Sequence, residues 1–159
     1  MKKRRFLRNV LLIIAVLTIA SLIGIFAEFY RPIVSPDEFA SCMKEAGYIV
    51  VEITPRFEQT ETHLVADCGV FYVEFMMHDT IADARRTFAL LRDDLEQLEQ
   101  QWDIIVHTWS SSGFNSWYEQ ITSDGQVARM TRVRNTIIFA STTEEHYDYV
   151  MKIWERLGQ

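Results

Sequence analysis

The sequence predicts an α+β fold, an antiparallel sheet with helices packed on it in the order α-βββ-α-ββββ-α, preceded by one N-terminal transmembrane helix. Three observations support this prediction: a long uncharged apolar run, an apolar stripe with helical spacing, and several alternating segments separated by turn residues. Because strands occur in runs between helices, we expect antiparallel pairing and not parallel crossovers.

The apolar run extends from Val10 to Ala27 without a charged side chain, which is long enough to cross a bilayer core as one helix. A cleaved signal peptide is the alternative, with a small-x-small site at Thr18–Ala20, but its apolar core is usually only about 7–15 residues long. The predicted division is a basic cytoplasmic tag at residues 1–9, a transmembrane helix at 10–30, a short linker at 31–34 and an extracytoplasmic α+β domain at 35–159.

Charge is distributed very unevenly along the chain. Residues 1–31 contain six of the 16 Lys and Arg residues but only one of the 22 acidic residues, so they carry +5 and the remainder carries −11. Five of the bases precede the apolar run, which places the N-terminus in the cytoplasm and the domain outside the cell membrane. The acidic domain excludes nucleic acid as a partner, because phosphates require Lys and Arg patches.

The domain begins with a predicted helix that has a complete N-terminal signal. Ser35 suits the N-cap, Pro36 the first helical position and Glu38 the reciprocal position of a capping box, while Gly47 is a typical stop. The apolar residues at helical spacing are Phe39, Cys42, Met43 and Ala46. A strand is predicted to follow at Tyr48–Thr54.

Two further strands are predicted around Cys68-Gly69. They are His63–Asp67 and Val70–His78, after a polar loop at Arg56–Thr62. If Cys68-Gly69 is a two-residue hairpin loop, His63 lies opposite Glu74 on the neighbouring strand. The residues His63, Glu74 and His78 then form a patch that suits either a metal ion or a polar pair on a solvated sheet face.

The longest predicted helix follows Thr80 and Asp83, which make an approximate capping box. Its apolar residues step alternately by three and four positions, which is the strongest periodic signal in the chain. They are Ile81, Ala84, Phe88, Leu91, Leu95, Leu98 and Trp102. Because barely three heptads are present and strands follow at once, we expect a helix that faces the core and not a coiled coil.

The C-terminal part is predicted as a four-stranded meander and a last helix. The strands are Ile104–Ser110, Phe114–Thr122, Gln126–Arg134 and Thr136–Thr142. Asp124-Gly125 is a strong hairpin signal, and Asn135 is the expected left-handed residue of the last turn. The helix is expected to start near Thr142 with Glu145 as its capping-box residue. Its predicted buried edge is Val150, Ile153, Trp154 and Leu157.

The segments Asp37–Val51 and Val133–Thr142 resemble uncharacterised small membrane-anchored or lipid-anchored extracytoplasmic domains of Gram-positive bacteria. The resemblance spans about Ser35–Gly158 and consists of capping and strand composition. It implies the fold and the location but no catalytic or binding residues. No cysteine follows the apolar run closely, so a lipid anchor is not indicated.

The sequence contains no glycine-rich phosphate loop and no HExxH, CxxC or GxSxG motif. We therefore assign no catalytic residue and no cofactor. Arg129 with Trp109 or Trp117 suits either an anionic or sugar-like ligand or simple packing. Cys42 and Cys68 form either one disulfide, as an extracytoplasmic location permits, or two free thiols.

The expected function is a binding or protein-interaction module held outside the membrane, with a protein partner in or outside the bilayer. The small residues Ala20 and Gly24 suit helix association within the membrane. The alternative is a membrane-tethered hydrolase or metal-dependent enzyme whose site residues are dispersed along the sequence.

Overall fold

A computed structural model describes Ile13, Ile14, Val16, Thr18, Ile19 and residues 31–98 and 103–159. The chain forms two compact units, Met1–Arg31 and Pro32–Gln159. In the first unit Ile13, Ile14, Val16, Thr18 and Ile19 are helical, and the Thr18 hydroxyl donates to the Ile14 carbonyl at 2.8 Å. The rest of the span predicted at 10–30 lies outside the described residues, and among those described no helix has the length and apolarity needed to cross a bilayer.

The second unit confirms the α+β class and the predicted order of elements. All seven strands form one antiparallel sheet with the order β1-β2-β3-β7-β6-β5-β4. The elements are α1 Pro36–Glu45, β1 Ile49–Glu52, β2 Thr60–Asp67, β3 Tyr72–His78, α2 Ile81–Leu98, β4 Ile104–Ser111, β5 Asn115–Thr122, β6 Gln126–Val133, β7 Thr136–Thr143, a 3-10 turn at Glu144–His146, and α3 Tyr147–Arg156.

The helices lie on both faces of the sheet and create two cores. Helices α1 and α3 share one face, where Phe39 stacks on Phe75 with ring centroids 5.2 Å apart. Trp154 of α3 is buried in the same core, and its indole N–H donates to the Thr131 hydroxyl at 2.7 Å. The predicted buried edge of the last helix is therefore confirmed.

Helix α2 covers the opposite face. Ala84, Phe88 and Leu91 of the predicted stripe are buried there against Met130 and Ile137. Both faces of β3 are consequently buried, one in each core. The outer stripe members Ile81 and Leu95 are half-buried, whereas Trp102 and the side chain of Leu98 lie outside the described residues.

The capping box predicted for α1 is present. The Ser35 N–H donates to the Glu38 carboxylate at 2.8 Å, and the Glu38 N–H donates to the Ser35 hydroxyl at 3.2 Å. These hydrogen bonds favour the charged carboxylate and lower the pKa of Glu38. Gly47 takes φ +87° after the helix end, the left-handed conformation that glycine adopts most easily.

The hairpin between β2 and β3 differs from the prediction. Asp67 pairs with Tyr72, so four residues connect the strands, and the two-residue loop at Cys68-Gly69 is wrong. The Asp67 carboxylate accepts the Gly69 N–H at 2.8 Å, and the Cys68 N–H donates to the Phe71 carbonyl at 3.0 Å. These two hydrogen bonds close the longer turn. The one to Asp67 is a local bond between a side chain and the backbone, which competes with strand pairing.

Two details of the C-terminal part are also corrected. Arg134, and not Asn135, takes the left-handed conformation, with φ +54°. The Asn135 amide instead donates to the His78 carbonyl at 2.8 Å. The capping box expected at Glu145 is absent, because the Thr143 hydroxyl bonds His146 Nδ1 at 3.0 Å and a 3-10 turn precedes α3.

Candidate functional site

The structure brings His63 and Glu74 together but by a different register from the one predicted. His63 lies opposite Met76, and Glu74 lies opposite Val65. The two side chains meet diagonally, with His63 Nε2 2.8 Å from the Glu74 carboxylate. His63 is buried, so this is a partly desolvated polar pair and not the solvated surface pair considered from the sequence.

His78 contributes to a different hydrogen bond. Its Nδ1 lies 3.3 Å from the Thr60 hydroxyl, and its Nε2 has no partner among the described residues. Burial lowers the pKa of His78 by disfavouring the imidazolium form, and the nearby His63 acts in the same direction. The described residues contain no group of three or more His, Cys, Asp or Glu side chains placed to hold a metal ion.

Arg129 lies in a polar cluster on the α1/α3 face. Its guanidinium contacts the Glu119 carboxylate, to which Tyr147 of α3 also donates, and Arg129 Nη1 donates to the Tyr147 hydroxyl at 2.9 Å. Burial and the bond to Glu119 raise the pKa of Tyr147 to about 12. The cluster links α3 to the sheet. Because the guanidinium of Arg129 is paired with the Glu119 carboxylate, it is not available to bind an anionic ligand.

The two tryptophans considered with Arg129 lie on opposite faces. Trp117 is paired with Thr131 on the α1/α3 face, whereas Trp109 is paired with Tyr118 on the α2 face. Trp109 is 49% exposed, and the guanidinium of Arg92 lies 5.0 Å from its ring centroid. The ligand surface considered from the sequence is therefore split by the sheet.

The sequence pattern gives no indication that Arg132 is buried. It is fully buried, and burial lowers its pKa to about 10, with the nearby charge of Arg85 acting in the same direction. Its guanidinium donates to the carbonyls of Ser112, Phe114 and Arg134 at 2.9–3.0 Å. These bonds tie the β4–β5 turn to the β6–β7 turn and so support the outer hairpin.

Cys42 and Cys68 are free thiols in the structure, and both are half-buried. Burial raises the pKa of both, and that of Cys68 reaches about 12. A thiol with such a pKa contains little thiolate at neutral pH and is a poor nucleophile. Cys68 therefore lacks the thiolate character of a catalytic cysteine.

The most open part of the sheet is the edge strand β4. It contains no charged residue except for the titratable His107, and seven of its eight residues are exposed. Ile105 is 63% exposed and Val106 is also exposed. Since β5 is the only strand among the described residues that pairs with β4, β4 presents backbone N–H and C=O groups along its outer side.

The opposite edge strand, β1, is a weaker candidate. It has four residues, is bounded by Gly47 and Pro55 in sequence, and ends at the charged residue Glu52. Short edges with charges and nearby proline are the usual protection against further strand pairing. The long, uncharged β4 lacks these protections.

No protein-family model matches the chain, and no curated protein matches it. A crystal structure described as a GTP binding regulator from Thermotoga maritima is similar, with a TM-score of 0.53 and 10% sequence identity. The similarity covers 79% of this chain and 88% of that one. At this identity the likeness concerns the fold alone.

Proposed function

We propose that the chain is a single-pass cell-membrane protein whose extracytoplasmic domain is a protein-interaction module. A partner protein adds an extended segment along β4 as an eighth strand. The observation that supports this most directly is the length, exposure and lack of charge of β4. Strand addition of this kind obtains affinity from backbone hydrogen bonds and specificity from alternate side chains.

The proposed membrane anchor is supported by the sequence before Pro32. The uncharged run from Val10 to Ala27 has the length of a membrane span, and five Lys and Arg residues precede it. In this arrangement residues 1–9 are cytoplasmic and the domain unit Pro32–Gln159 meets partners on the outer side.

Hydrogen bonding in the β4–β5 turn defines which backbone groups are open. The Ser112 N–H donates to the Asn115 carbonyl at 2.7 Å, so these two residues form a hydrogen-bonded pair. In an antiparallel ladder hydrogen-bonded and non-hydrogen-bonded pairs alternate. Ser111 and Trp109 therefore direct their N–H and C=O groups away from β5.

The charges around β4 indicate the chemistry of the partner. Glu119, opposite Thr108, is already paired with Arg129, and Glu96 lies 3.3 Å from Arg92 and 3.7 Å from His107. Asp103 immediately precedes the strand. With −11 on the chain after residue 31, we expect an extended partner segment that combines apolar and basic side chains.

The test is photo-crosslinking of the full-length protein in its native membrane. A photoreactive residue at Thr108 is expected to form an adduct that maps to an extended, Lys- or Arg-rich segment, whereas one at Val51 of β1 forms none. Ser111→Pro removes one outward N–H and is expected to reduce the Thr108 adduct at least about tenfold.

Thermal unfolding experiments show whether each variant is folded. Ile105→Lys is the second variant, used if Ser111→Pro is unfolded. Equal adducts from Thr108 and Val51 would refute the assignment of β4. An adduct that persists in both folded variants would do the same.

A further inference from the structure

A cavity of about 370 Å³ opens on the α2 face of the sheet, beside Leu95 in the last turn of α2. Its floor is Ala128 of β6, which is paired with Gln120 of β5 on one side and Ser141 of β7 on the other. Since Ala128 has only a methyl side chain between two longer neighbours, it leaves a depression in the sheet surface. The remaining described lining residues are Thr122, Asp124, Gln126 and Val127.

The side chain of Gln120 gives this cavity a hydrogen-bond donor. Gln120 is only 4% exposed, and its Oε1 accepts a hydrogen bond from the fully buried Tyr118 hydroxyl at 2.6 Å. That bond fixes the amide so that Nε2 is the free end, and no described residue accepts from it. A donor that reaches the cavity without a protein partner is free to donate to a ligand oxygen.

The charge of the lining restricts the ligand further. Asp124 is the only charged side chain among the described lining residues, and its carboxylate accepts the Thr122 hydroxyl. Since no Lys or Arg is among them, anionic ligands such as phosphates are disfavoured. Hydroxyl and ammonium groups suit the free acceptor positions of the carboxylate.

We propose that this cavity binds a hydroxylated ligand of monosaccharide size, either neutral or with one positive charge. A ligand oxygen accepts from Gln120 Nε2, a hydroxyl or ammonium group donates to Asp124, and an apolar ring face lies on Ala128 and Leu95. The volume lies at the lower end of the range for small-molecule sites. This site is separate from the edge of β4 and goes beyond the proposed protein interaction.

The probes are glucose, glucosamine and glucose 6-phosphate, added to the full-length protein in detergent micelles. Saturation-transfer NMR is expected to detect glucose or glucosamine, with glucose 6-phosphate bound at least about tenfold more weakly because it is anionic. Ala128→Leu fills the floor and is expected to abolish the signal. Gln120→Met keeps the side-chain length but removes the donor, together with the acceptor of the Tyr118 hydroxyl, and is expected to weaken binding by about tenfold.

The matched control is Ala82→Leu, the same substitution at an exposed position of α2, which is expected to bind like the unmodified protein. Circular dichroism shows which variants are folded. If Ala128→Leu is unfolded, the binding measured for Gln120→Met tests the proposal. Failure of glucose and glucosamine to bind the unmodified protein would overturn the proposal. Unchanged binding by folded Ala128→Leu or Gln120→Met would overturn it as well.

Discussion

The ring of His78 is fully buried at the end of β3, close to Asp79, Asp83 and His63. Burial outweighs the two carboxylates and lowers the pKa of His78, so folding favours the neutral imidazole. The unfolded chain binds a proton at this residue below about pH 6.5. The contribution of His78 to stability is therefore complete above that pH and decreases as the pH falls towards the lower folded pKa.

We accordingly expect the free energy of unfolding to fall between pH 7.5 and pH 5, and to fall less steeply in His78→Gln. Urea unfolding at several pH values measures both slopes. Because other groups also titrate in this range, the difference between the two proteins is the relevant quantity. Identical slopes would contradict the assignment of His78 as a neutral buried residue.

The thiols provide a second prediction for single residues. Cys42 and Cys68 are not bridged, and both are half-buried. Because burial raises the pKa of both thiols, we expect them to react slowly with a thiol reagent at neutral pH. Denaturation without a reducing agent is expected to expose two titratable thiols. A count of zero after denaturation would demonstrate the disulfide that an extracytoplasmic location permits.

Buried polar residues are the part of the candidate sites that the sequence predicts least well. Arg132 lies between Thr131 and Val133 on its strand, and its charged side chain would ordinarily be expected to face solvent, yet it is fully buried. Its burial depends on the carbonyls of Ser112 and Phe114 in the β4–β5 turn, which lie 20 and 18 positions away in the sequence. The sequence does predict the proximity of His63 and Glu74, although from an incorrect hairpin register.

Among the elements, α2 offers the clearest energetic test. Leu91 is buried against the sheet, whereas its neighbour Leu90 is 48% exposed. Leu91→Ala is expected to lower the free energy of unfolding by about 2–5 kcal/mol through lost burial and a residual cavity. Leu90→Ala, the matched control, is expected to change it by less than about 0.5 kcal/mol. Equal effects in a denaturant titration would contradict the assigned helix face.

Elements with local signals are predicted closely. The capping box at Ser35 and the stripe through Leu91 depend on residues only a few positions apart, so the sequence contains all the information needed. The pairing of β3 with β7 joins segments about 60 residues apart and has no local signal. For the same reason the edge position of β4 could not be predicted, and the lack of charge from Ile104 to Ser111 was its only indication.

At the scale of the whole molecule, the proposed topology makes a direct prediction. A reporter that is active only outside the cytoplasm, fused after Gln159, is expected to be active in intact cells. The reason is the excess of bases before Val10, which in the proposed topology keeps the N-terminus in the cytoplasm. The matched variant exchanges Lys2, Lys3, Arg4, Arg5 and Arg8 for Gln and is expected to lose this bias. Activity of a cytoplasmic reporter at the same fusion point would contradict the topology.

The two ends of the domain unit meet at one place. The Gln159 side-chain amide donates to the Pro32 carbonyl at 2.9 Å, and a Cβ on Gly158 would lie only 2.8 Å from Pro32 Cγ. A short linker could therefore join the ends into a closed chain. Reopening that ring at the Asp124-Gly125 turn would give a circular permutant that retains all six strand pairings, since the turn contributes to none of them. We therefore expect the same sheet to form in the permutant.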